Sequence, residues 1–187
     1  GLGKTVQLIA LLQHERRNGA KLAPSLLVVP TSVMHNWARE LERFAPELGV
    51  VIQHGPTRPL GEEFAESIKG IDVVITTYAL VVRDLESFNP IDWHRVVLDE
   101  AQYIKNPPTK QTAAIRSLTT DRRIALTGTP VENRLSELWS IMEFCCPGLL
   151  WTNGDFRKRF AVPIERHRDE RQARRLRELV QPFILRR

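Results

Sequence analysis

Five short runs of aliphatic, mostly β-branched residues recur along the N-terminal part of the chain: SLLVV (25–29), VVIQ (50–53), DVVIT (72–76), RVVLD (95–99) and RIALT (123–127). Each is apolar almost throughout rather than at every second position, the pattern of strands covered on both faces. The stretches between them carry a helical period. Leu8, Leu11 and Leu12 share one face, and Trp37, Leu41 and Phe44 share another. Strand and helix alternating in this way predict right-handed βαβ units around a parallel sheet. After Pro130 the strand signals stop. Leu135, Leu138, Trp139 and Met142 form a helical stripe, and NGDFRKRF and RDERQARRLRELV read as further helices, with turns at Pro147-Gly148 and Pro163. The expectation is an α/β core over residues 1–130 followed by a helical appendage over 131–187.

Composition narrows the class. The 187 residues are 42% hydrophobic and 26% charged, as in a globular domain with a real core and unlike a disordered chain. No apolar run approaches the ~18 residues of a membrane span. Cys145 and Cys146 are adjacent. Neighbours on a helix point in different directions, so they read as two buried thiols in a reducing compartment rather than a disulfide or a metal pair. The net charge of +5 is unevenly spread: residues 157–187 hold 11 Lys and Arg against 4 Asp and Glu. Arg168, Arg171 and Arg175 are expected on one helical face. That face can meet a polyanion or simply be solvated, and charge alone leaves both open.

Three motifs carry chemistry, in order, each tied to a predicted strand end or helix start. Gly3-Lys4-Thr5 opens the first helical pattern. A phosphate-binding loop cradles its anion with backbone N–H groups, reaches the β and γ oxygens with the lysine and offers the hydroxyl to Mg²⁺. In VVLDEAQ (96–102), a buried strand ends in Asp99 and Glu100. Carboxylates there sit where parallel sheets bind ligands; one can hold Mg²⁺ and the next can deprotonate water. In ALTGTP (125–130), another strand ends in Thr127-Gly128-Thr129, whose hydroxyls can bond a neighbouring carboxylate or phosphate. Alone, the first is a weak signal, the second reads equally as ordinary turn acids, and the third reads first as a simple turn before a helix. In a parallel sheet all three converge on one edge.

Taken together the motifs resemble the first RecA-like lobe of a Swi/Snf-family ATPase, within helicase superfamily two. GLGKTVQ resembles the family's nucleotide loop, LLVVPTSVMHNWARE its motif Ia, VVITTYALV motif Ib, VVLDEAQYIKNPPTK motif II and ALTGTPVEN motif III. ELWSIMEFCCPGLL, FRKRFAVPI and PFILRR resemble its family-specific helical segment. The resemblance implies a P-loop NTPase fold and an ATP hydrolase using Mg²⁺. Gly1, Gly3, Lys4, Thr5 and Asp99 would hold the nucleotide, with Thr5 and Asp99 on the metal and Glu100 as base. Thr127 and Thr129 would couple nucleotide state to nucleic acid. Pro30, Thr31, Thr76 and Thr77 would touch the phosphates of one strand of double-stranded DNA. Gln102 departs from the family's more usual His: it keeps a donor and an acceptor but cannot titrate, which puts its link to motif III in question.

The implied activity is an ATP-driven translocase that remodels protein–DNA complexes. Alternatives are a sibling enzyme that frees RNA polymerase from nucleic acid, and a non-catalytic nucleotide-binding scaffold. The implied setting is intracellular, cytoplasmic or nucleoid in a prokaryote and nuclear in a eukaryote. The chain opens halfway through a phosphate loop, so it is expected to be part of a larger protein with a second lobe, and to be nearly inactive and poorly folded alone.

Overall fold

The computed structural model describes residues 3–17, 23–106, 108–128 and 134–185. All five predicted strands form: β1 (Ser25–Val29), β2 (Val50–Ile52), β3 (Val73–Thr77), β4 (Arg95–Leu98) and β5 (Arg123–Ala125). They make one parallel sheet in the order β2-β3-β1-β4-β5. The chain leaves β1 toward one side of the sheet, returns through β3 and crosses to β4 on the other side. The winding therefore reverses at β1, where α/β sheets open a crevice beyond the strand ends.

Alternate residues of each strand feed two cores. Leu26, Val28, Val74, Val96 and Leu98 pack with Phe64, Phe88, Trp93 and Ile115 on one face. Leu27, Val29, Val73, Ile75 and Val97 pack on the other with Leu8, Ile9, Leu12, Trp37 and Leu41. The second face is covered by α1 (Lys4–Arg17) and α2 (Met34–Phe44). The first is covered by α3 (Gly61–Ser67), α4 (Tyr78–Arg83), α5 (Leu85–Phe88), α6 (Lys110–Ser117) and part of α7 (Leu135–Cys145). Burial on both faces is why the runs are continuously apolar. The architecture is the RecA-like α/β fold expected from the motifs.

The strand limits differ slightly from the sequence reading. β4 ends one residue before Asp99, and β5 ends at Ala125. Leu126 still donates its N–H to the Leu98 carbonyl and accepts from the Ala101 N–H, so the pairing outlasts the strand.

Beyond the sheet come α8 (Asn153–Phe156), a π-helical turn (Arg157–Ala161), α9 (Val162–His167) and α10 (Glu170–Val180). They enclose a third core of Leu138, Trp139, Met142, Leu150, Phe156, Phe160, Leu176 and Val180. Helix α7 serves two cores, since Ile141 and Phe144 belong to the sheet. The boundary expected at residue 130 lies outside the described residues. The predicted arginine face needs correction. Arg168 adopts a left-handed conformation (φ 52°) between α9 and α10, where Asp169 caps α10 through the Gln172 N–H, so Arg168 is not on the helix that carries Arg171 and Arg175. Cys145 and Cys146 are half-buried free thiols, and burial pushes the Cys145 thiol up to about 12. Among the described residues no helix is long and apolar enough to cross a membrane.

An ion pair fixes the direction of α1. Arg95, first residue of β4, donates Nη1 and Nη2 to Glu15 at 2.9 and 2.7 Å. The last turn of α1 is thus pinned at the start of β4, and the helix runs back antiparallel to the strand. Its first turn therefore points toward the end of the sheet where β4 and β5 finish. The hydrogen bond from Arg95 holds the Glu15 carboxyl below its ordinary range, against the opposing effect of burial. A carboxylate depressed on folding stabilises fully above its unfolded pKa, and that stability fades as pH falls through the depressed value. Glu15→Gln should therefore flatten the acid limb of a stability–pH profile below about pH 4.3, read from urea midpoints.

Candidate functional site

The C-terminal rim of the sheet gathers the chemistry. At the end of β4, Asp99 turns back on itself. Its Oδ1 accepts the Glu100 N–H at 2.9 Å and its Oδ2 accepts the indole N–H of Trp37 at 2.7 Å. The carboxylate is buried, yet each oxygen keeps a lone pair beyond these bonds. Glu100 follows in the left-handed region (φ 50°, ψ 57°), unusual for a residue with a Cβ. Such strain persists where surrounding contacts enforce it, and it clusters at functional sites. Here it turns the chain sharply off the strand into the short 3₁₀ turn of Ala101–Ile104.

That turn brings motif II to motif III. Gln102 donates Nε2 to Glu100 Oε2 at 2.8 Å, and its Oε1 accepts the Thr127 hydroxyl at 3.1 Å. The side-chain amide uses its donor on one partner and its acceptor on the other. A neutral imidazole also offers one donor and one acceptor. The link that the His-to-Gln departure put in question is therefore present, in a form that does not titrate. Thr129 and Gly1 lie outside the described residues.

Gly3, in the left-handed region (φ 100°), leads into α1, which Lys4 and Thr5 begin. The first intrahelical bond runs from the Gln7 N–H to the Gly3 carbonyl, which leaves the N–H groups of the first turn free of intrahelical partners. The first turn carries no acidic residue and the last carries His14, Arg16 and Arg17. The positive end of the helix dipole thus favours an anion at this turn. Among the described residues, no cluster of three or more His, Cys, Asp and Glu side chains gathers around a metal. A cation held by the Asp99 carboxylate would complete its shell with hydroxyl, water and phosphate oxygens. Hard oxygen donors of this kind suit Mg²⁺.

The residues expected to face nucleic acid divide. Thr31 is exposed and Pro30 half-buried, at the turn that links β1 to α2. Thr76 and Thr77 are 0% and 3% exposed. The Thr76 hydroxyl donates to the Gln53 carbonyl at 3.0 Å, and the Thr77 hydroxyl caps α4 by accepting the Leu80 N–H. In the chain by itself both hydroxyls are thus engaged within the protein.

The site also uses residues that the motif reading did not assign to it. Trp37 was legible as part of an apolar stripe, and a buried indole needs an acceptor for its N–H, but the stripe does not say which one. Tyr78 stacks on exposed Tyr103, with ring centroids 5.0 Å apart and planes 13° from parallel, and its hydroxyl donates to the Asp99 carbonyl at 2.7 Å. Burial, reinforced by the Asp99 and Glu100 carboxylates, pushes the Tyr78 phenol far above its ordinary pKa and keeps it a donor.

Comparison with known proteins agrees with the fold. The model of the SNF2-related domain matches residues 1–187. A putative ATP-dependent helicase/translocase of Bacillus subtilis, YwqA, is 49% identical over 187 residues, 100% of this chain and 20% of that protein. The chromatin-remodeling ATPase INO80 of Drosophila melanogaster is 37% identical over 201 aligned residues, 100% of this chain and 12% of its own length. Among solved structures, the Sulfolobus solfataricus SWI2/SNF2 ATPase core in complex with dsDNA superposes with a TM-score of 0.87 at 41% identity, covering 100% of this chain and 38% of that one. The chain therefore spans a minor part of each of these relatives.

Proposed function

We propose, from the premise that the chain belongs to the SNF2-related family, that it forms the ATP-binding lobe of a motor that hydrolyses ATP and tracks along double-stranded DNA. The observation that carries this reading is the hydrogen-bonded line Glu100–Gln102–Thr127 beside Asp99 on one rim of the sheet. In it the first turn of α1 receives the phosphates, with Lys4 on the β and γ oxygens. Thr5 and Asp99 would hold Mg²⁺, which would supply positive charge to neutralise the phosphate oxygens. Glu100 accepts the proton of the attacking water. Gln102 holds one oxygen of that carboxylate and answers to Thr127, so a shift at the end of β5 changes how the base is presented.

The duplex-DNA part rests on two supports. A Sulfolobus solfataricus relative of this fold was solved with dsDNA, and Pro30 and Thr31 stand at an accessible strand end. Backbone groups and hydroxyls there grip a sugar-phosphate chain without reading bases. Remodelling of DNA-bound proteins is the work such a motor would do in the intact protein.

The test is to measure ATP turnover by the intact protein with duplex DNA, single-stranded DNA and RNA. Duplex should stimulate most. Binding should fall steeply with salt: if about four phosphates are neutralised, a fourfold rise in salt costs about two orders of magnitude in affinity. Equal stimulation by all three polymers, or affinity indifferent to salt, would defeat the backbone-tracking reading.

A further inference from the structure

Two buried aromatic side chains, from different elements, converge on a single residue. Trp37 lies one turn into α2, the helix that follows the Pro30–Thr31 turn, and its ring is packed in the core between α1, α2 and the sheet. Its N–H reaches the Asp99 carboxylate at 2.7 Å. Tyr78 is the first residue of α4, immediately after Thr77, and its hydroxyl reaches the Asp99 main-chain carbonyl at 2.7 Å. One donor comes from beyond β1 and the other from beyond β3. We propose that Trp37 and Tyr78 are positioning residues that hold Asp99, side chain and main chain, in the orientation that serves the metal. This rests on the reading of Asp99 as the carboxylate on Mg²⁺.

The geometry gives each donor a separate task. Bonds from Trp37 on Oδ2 and the Glu100 N–H on Oδ1 fix both the torsions and the plane of the carboxylate. Without the indole, Oδ2 loses a charge-assisted hydrogen bond and the group is free to rotate about its remaining tether. The Tyr78 hydroxyl braces the peptide that enters the left-handed turn at Glu100, and the stack with Tyr103 holds the phenol from the far side of that turn. Neither ring touches the reacting atoms. Their effect is on where Asp99 points.

The experiment uses the intact protein and a slowly hydrolysed ATP analogue, with affinity measured across a Mg²⁺ titration. Tyr78→Phe removes one hydroxyl and keeps the ring. At Trp37, 3-benzothienylalanine keeps the shape and replaces the N–H with sulfur, and Trp37→Phe is the genetically simpler companion. Leu41→Val, on the same helix and in the same core, is the packing control, and Asp99→Asn tests the underlying reading. A hydrogen bond to a charged group being lost, the benzothienyl variant should raise the Mg²⁺ concentration for half-maximal binding about tenfold, and Tyr78→Phe about fivefold. Affinity for the analogue without Mg²⁺ should stay within about twofold of the parent, and Leu41→Val should lower the urea midpoint without moving the Mg²⁺ midpoint. If Asp99→Asn abolishes the Mg²⁺ dependence while the Trp37 and Tyr78 variants titrate like the parent, the positioning role is wrong. If Asp99→Asn itself leaves the Mg²⁺ dependence intact, the reading of Asp99 is what fails.

Discussion

Glu100→Gln in the intact protein should lower kcat for ATP hydrolysis by about 10²- to 10⁴-fold, the usual contribution of a positioned general base, with nucleotide affinity nearly unchanged. The substitution is close to isosteric. It keeps an oxygen to accept the Gln102 amide but removes the group able to take a proton from water. Gln102 occupies only Oε2 of the carboxylate, so Oε1 remains for the water. Paired measurements of steady-state turnover and nucleotide binding, with duplex DNA present, check this. A variant that turns over at the parental rate would take the base role away from Glu100.

The second large effect concerns stability. Arg58 and Asp84 form a bidentate pair, Nε to Oδ2 and Nη2 to Oδ1, both at 2.8 Å, with side chains only 7% and 6% exposed. The pair ties the loop after β2 to the junction of α4 and α5. Nearby, Gln53 donates to the Pro59 carbonyl and Arg58 to that of Gly55, both at 2.6 Å. Asp84→Ala leaves the guanidinium buried without its counterion, which typically costs about 3–5 kcal/mol. Replacing both residues by leucine should cost much less, because no charge is then stranded. Urea unfolding of the parent, the single and the double variant measures the difference. A single variant as stable as the parent would mean that water reaches Arg58 freely.

The sheet was legible because both its faces are covered, and apolar continuity is the direct imprint of that covering. Asp99 and Glu100 were legible because acids that end an apolar run have nowhere to go but the rim. Partners across long separations were not. Nothing local joins Trp37 to Asp99, 62 positions apart, or Thr127 to Gln102, 25 apart. The internal partners of Thr76 and Thr77 were not legible either, because a hydroxyl at a strand end can serve a phosphate or its own backbone; in the chain alone the Gln53 carbonyl and the Leu80 N–H engage them. The break at Arg168 left a trace that periodicity hides. Asp169-x-x-Gln172 is a helix-start signature, and it lies inside a stretch whose arginines continue to look helical.

Helix α7 shows what sharing a wall means for a moving part. Ser140 on it is hydrogen-bonded to the Ile104 carbonyl, and Arg116 grips the Ser140 carbonyl at 2.9 Å with its guanidinium over the Trp139 ring. Turning α7 against the sheet would have to break these bonds first. A load carried along α7 would meet, at Ser140, the 3₁₀ turn that carries Gln102.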